Sequence, residues 1–312
     1  MNKRPMKPYV AIILVILYGL DIFWLSGKIV WNMGEWGVLF YEGLLVVIAV
    51  AVAFLFRADL KRVFPFRKPE PAKIAGTLVL WMGAFFAAMI PSSIMLYVFP
   101  QRMAQASGGV NSLASGVTLA VAIVLVCVTP AVCEEMAFRG AMFSAFREMR
   151  SPWVGILVVS AIFGAFHGSI WRFVPTAILG VGMGYLLVVT DNMFYNMLFH
   201  LVNNMVPVLL IQFLYGAGQG IGIDTGVAYT AGAVPLVTVG IYMLYGSSAP
   251  FLLYAGDYLL RKGQAGYRDG FLPRRKKADF LALMLFSGGM ALIGICIIAV
   301  SLAVDGSLLY GM

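Results

Sequence analysis

Apolar residues run through this chain in stretches of about 20, punctuated by short clusters of charge, Gly and Pro, with no period-two alternation. Runs of that length match the hydrocarbon core of a bilayer, about 30 Å thick, which one helix crosses in about 20 residues. Nine candidate spans follow: roughly 9–27, 37–56, 74–99, 113–146, 152–170, 172–189, 193–214, 232–254 and 280–304. The fourth is too long for one crossing, and Gly246-Ser247-Ser248-Ala249-Pro250 interrupts the eighth, so the pattern predicts eight or nine spans. The expected fold is all-α, a polytopic transmembrane helical bundle with a central helix core. A membrane β-barrel is excluded, because its strands alternate over about 10 residues. The first run follows the basic stretch Asn2 to Lys7, yet it has no small-x-small cleavage site and continues to about Val30, as a retained anchor does.

Composition narrows this further. Of 312 residues, 61% are hydrophobic and 12% charged, about half the charge of a soluble domain, and the mean hydropathy is +0.91. An ordinary soluble enzyme and a disordered chain are both excluded. The net charge of +8 reads as topology and not as a nucleic-acid footprint. With the N-terminus cytoplasmic and the C-terminus outside, 19 of the 22 Lys and Arg fall on the inner side, most of them in two solvated loops at 57–73 and 257–279. An integral multi-pass protein of the cell membrane is expected, with N-terminal helices over 1–112, a core over 113–214 and C-terminal helices over 215–312. Cys127, Cys133 and Cys296 lie in apolar runs without ligand spacing. Gly180, Gly182 and Gly184 sit inside an apolar helical run, where small residues permit close helix packing rather than phosphate binding.

Ionisable groups inside spans cost about 2.5–3.5 kcal/mol each on insertion scales and so mark candidate sites. They concentrate in three places: Glu134, Glu135 and Arg139; Phe163 and His167; His200 and Asn204. Glu135 and Arg139 are i,i+4 and can pair along one helix face, while Glu134 points about 100° away. Phe163 with His167, and His200 with Asn204, repeat the four-residue spacing. Ser151-Pro152 reads as a helix start, so a turn falls near 149–151. Glu134 and His167 then lie about 16 residues, or roughly 24 Å, on either side of that turn and at one depth. Asp21 and Glu42 read as single acids near span ends, reaching an interface or a local partner.

Taken in order on successive apolar helices, Glu-Glu-x-x-x-Arg, Phe-x-x-x-His and His-x-x-x-Asn resemble the motifs of the CPBP intramembrane proteases, which include type II CAAX prenyl endopeptidases and bacterial Abi or bacteriocin-immunity proteins. The likeness covers about residues 113–210. It implies an endopeptidase in which Glu134 and His167 activate water. His200 and Asn204, one turn apart, can each aim an N–H at a developing oxyanion. Glu135, Arg139 and Phe163 stand behind them. No cofactor is favoured. Zinc is the competing chemistry, with Glu134, His167 and His200 as ligands and an open position for water, although no His-Glu-x-x-His helix is present. The partner expected is a membrane-anchored, prenylated or transmembrane peptide within the bilayer. Two readings of other classes remain beside it: a non-catalytic immunity or scaffold protein, and a proton-coupled transporter, which predicts an internal repeat of broken helices that the sequence lacks.

Overall fold

The computed structural model describes residues 5–221, 235–264, 266–267, 270–271 and 277–310, with side chains at 214–221 and 305–310 left aside. Lys3, Arg4, Arg268, Arg274, Arg275 and Lys276 of the charge pattern, and the start of the span expected at 232–254, lie outside the described residues. The longer helices are α1 (Pro8–Leu20), α2 (Ser26–Met33), α3 (Gly37–Leu55), α4 (Pro71–Val98), α5 (Pro100–Gly116), α6 (Leu119–Met142), α7 (Pro152–Phe166), α8 (Ile170–Thr190), α9 (Met193–Ile221), α10 (Leu236–Arg261) and α11 (Lys277–Tyr310), with one further turn of helix at Leu60–Val63. No strand occurs among the described residues. By length and composition, seven helical stretches there are apolar enough to cross a membrane, the first being Pro8–Leu55 with 48 residues.

That stretch is no single rod, which would be about 72 Å long. It winds as a π-turn over Asp21–Leu25 and reverses at Gly34, whose φ of 60° suits glycine. Beyond the reversal α3 returns along α2 so closely that a Cβ on Gly37 would sit 2.9 Å from the Val30 Cα. α7, with 15 residues, is apolar but shorter than the stretches long enough to cross a membrane. The run expected at 113–146 breaks at Val117-Thr118, which separates the polar α5 from α6. The interruption expected near Gly246 to Pro250 falls at Ser248, which divides α10 into Leu236–Ser247 and Ala249–Arg261 while keeping right-handed helical angles, and Pro250 lies in the first turn of the second segment, where its missing N–H has no intrahelical partner to lose.

Two compact units form, each discontinuous in sequence: Met1–Glu70 with Ser107–Thr225, and Pro71–Ala106 with Gly226–Met312. In the second, α10 packs on α4 and on α11 through glycines. A Cβ on Gly256 would meet the Leu80 backbone at 2.8 Å, and one on Gly294 the Gly240 carbonyl at 2.9 Å. In the first, α6 packs against α3 and α9, and α7 against α8. The α7–α8 contact explains the glycines of α8. A Cβ on Gly180 would approach Ser160 to 3.0 Å, and one on Gly184 would meet Ile156 at 3.2 Å, so these residues serve helix packing as their setting predicted.

Candidate active site

The site is built in the first unit, on α6, α7 and α9. α6 winds as π-helix over Ile123–Val128 and again over Glu135–Met142. Such turns leave backbone carbonyls unmatched and redirect side chains. The second begins at Glu135, immediately after Glu134. α7 opens at Pro152 behind an extended Ser151, as the sequence predicts, although the Ser151 side chain makes no capping bond. His167 is the residue that ends α7, and Gly168, with φ 66°, turns the chain into Ser169. The Ser169 hydroxyl caps α8 by accepting from the Trp171 N–H at 3.3 Å. His167 is thus held at a helix end beside a turn of fixed shape.

Glu134, His167, His200 and Asn204 line one cavity of about 440 Å³, with Phe163 and Arg172 in the same wall. Glu135 and Arg139 lie behind it as a buried ion pair, Nη1 to Oε1 at 3.0 Å, with side chains 0% and 1% exposed. The same Glu135 oxygen meets His200 Nδ1 at 2.8 Å, a bond that spacing along the chain does not reveal. A carboxylate paired with arginine accepts, so His200 donates from Nδ1 and turns Nε2 toward Glu134, whose Oε2 stands 3.8 Å away. The His167 Nδ1 is 2.8 Å from the Phe163 carbonyl. A carbonyl can only accept, so that nitrogen carries the proton and Nε2 keeps its lone pair. The Asn204 amide donates to the Val126 carbonyl at 3.0 Å, within the first π-turn.

Phe163 is the hub of this arrangement. The Arg139 guanidinium lies 4.1 Å from its ring centroid, over the face. The His167 and His200 rings approach edge-on at 4.8 and 5.9 Å. One aromatic ring therefore spaces both imidazoles and the buried cation. No three His, Cys, Asp or Glu side chains among the described residues come together as a set able to hold a metal ion. Glu134, His167 and His200, the expected zinc ligands, line the cavity without forming such a set.

The acids read as isolated span-end residues are placed otherwise. Asp21 is 2% and Glu42 4% exposed, and Glu42 lines the cavity with Tyr41. Both belong to the N-terminal helices, and only their position inside apolar runs hinted at a role.

A family model described as type II CAAX prenyl endopeptidase Rce1-like matches residues 116–206, the segment that carries all three motifs. The match bears out the resemblance to the CPBP intramembrane proteases that the three motifs carry. No curated protein and no solved structure matches the chain.

Proposed function

We propose that this protein is an intramembrane endopeptidase that hydrolyses a peptide bond in a membrane-anchored substrate, prenylated or transmembrane. The observation that carries the reading is the convergence of Glu134, His167, His200 and Asn204 on one cavity within the segment that matches the family. Water bound between Glu134 and His167 loses a proton to the Glu134 carboxylate, while the lone pair on His167 Nε2 orients it for attack on the carbonyl carbon. The developing oxyanion is met by the second N–H of the Asn204 amide and by the His200 ring, which the bond from Nδ1 to Glu135 holds in place. Glu135, neutralised by Arg139, holds the ring in that attitude. The orientation we propose follows the charges: N-terminus cytoplasmic and C-terminus outside, in the cell membrane.

The test is cleavage of a lipid-anchored peptide by wild type and Glu134→Gln at equal folded-protein concentration in detergent. Glu134→Gln keeps the shape and removes the proton acceptor, so turnover should fall by at least about 10²–10⁴-fold with substrate binding retained. Wild-type turnover in this variant means Glu134 is not the base. Binding without cleavage by the wild type itself favours a scaffold or immunity role.

A further inference from the structure

Glu42 lies on α3, in the N-terminal hairpin and outside the segment matched by the family. α3 packs against α6, so a second carboxyl group enters the cavity from a wall other than those bearing the motifs. Its Oε2 is buried and has no hydrogen-bond partner, and it lies within electrostatic reach of Glu134 and Asp21. Asp21 has neither oxygen bonded, and among the described residues neither acid forms an ion pair with a basic side chain. A carboxyl group buried without a cation is most stable as the neutral acid, which has a proton to give. Peptide hydrolysis needs such a group, because an amine leaves readily only when protonated.

We propose that Glu42 is a second catalytic acid of this cavity, protonating the departing amine while Glu134 takes its proton from water. This rests on the hydrolytic reading above. One O–H bond of water breaks and its oxygen bonds to the carbonyl carbon, the proton passing to the Glu134 carboxylate. The C–N bond then breaks, and the nitrogen keeps the bonding pair and takes the Glu42 proton. One water is consumed, acid and amine are released, and transfer of the proton from Glu134 to Glu42 restores both groups. The pair divides base and acid work between two carboxyls on different helices.

The test is dependence on the leaving group. Two lipid-anchored peptides are offered in detergent, one with an ordinary amide at the scissile position and one with a p-nitrophenyl ester, whose leaving group departs without a proton. In Glu42→Gln and Glu42→Met, amide cleavage should fall by about 10²–10⁴-fold and ester cleavage by less than about tenfold, because only the amide draws on the general acid. Glu42→Asp, which retains an acid, should hold the wild-type ratio within about tenfold, since the proton donor is still present. The ratio of the two rates does not depend on how much of each variant is folded. An unchanged ratio in Glu42→Gln and Glu42→Met overturns the proposal, as does a ratio in Glu42→Asp as low as theirs. Glu134→Gln should lose both activities. If it retains them the hydrolytic reading falls, an outcome distinct from any result at Glu42.

Discussion

Within the first unit, Arg62 meets Glu148, and Arg67 and Arg147 both meet Asp191. In the cavity of the same unit Glu134 Oε2 and Glu42 Oε2 have no hydrogen-bond partner, nor has either oxygen of Asp21, next in sequence to the lining residue Ile22. In the first set Arg62, Glu148, Arg67 and Asp191 are between 42% and 65% exposed, where water would screen their charges even if they were unpaired, while Arg147 is 17% exposed. The second is buried, where an unmatched polar group is expensive to keep. Apart from the buried Glu135–Arg139 pair, carboxyl oxygens are left without a hydrogen bond in the place where that costs most. A fold tolerates the second condition where the polar groups have a task, so the contrast separates the working end of the unit from its scaffold.

The largest effect expected from breaking this contrast lies at the buried pair that supports the cavity. Arg139→Met leaves Glu135 in apolar surroundings with only His200 beside it, and should destabilise the protein by about 3–5 kcal/mol. The double variant Arg139→Met with Glu135→Met replaces the pair by apolar side chains of similar length and should recover most of that loss. Cleavage should not return with it, because His200 loses the carboxylate that fixes its Nδ1. Thermal unfolding in detergent beside turnover reads both quantities. A double variant that is stable and fully active would make Glu135 a structural residue only.

Asn204→Ala comes next. Removal of one oxyanion donor lowers turnover by about 10²–10³-fold, with KM little changed because the interaction belongs to the transition state. A purely structural role, tying down the Val126 carbonyl, predicts something else: a stability loss of about 1 kcal/mol with turnover intact.

How much of this could be read along the chain depends on the range of the interaction. The Glu135–Arg139 pair, the neighbourhood of Phe163 and His167, and the turn before Pro152 are local, and spacings of one helical turn expose them. The bond from His200 to Glu135 joins residues 65 positions apart, and only the packing of α9 on α6 brings it about. Glu42 is a lone acid in an apolar run, which looks the same whether it reaches an interface or a cavity. The π-turns at Asp21, Ile123 and Glu135 leave no mark in hydrophobic periodicity. The basic loop at 57–73, expected to be a solvated run, is strapped down by the Met193 N–H donating to the Pro65 carbonyl at 2.8 Å and by the Asn192 amide donating to the Arg67 carbonyl at 3.0 Å.

That strap supplies the smallest effect and the sharpest control. Asp191 ends α8 with φ 44°, a left-handed conformation that asparagine also adopts readily. Asp191→Asn therefore keeps the backbone while removing the charge that faces Arg67 and Arg147. Exposed ion pairs such as Arg67–Asp191 contribute about 0–1 kcal/mol, the asparagine amide oxygen can still accept from the less exposed Arg147, and the backbone bonds at Pro65 and Arg67 still hold the loop, so stability should change by less than about 1 kcal/mol and cleavage not at all. Arg67→Ala should behave alike. A tenfold loss of turnover in Asp191→Asn with stability preserved would mean that this solvated cluster sets the geometry of α8 and hence of Arg172 in the cavity wall, and the division between scaffold and working end would no longer hold.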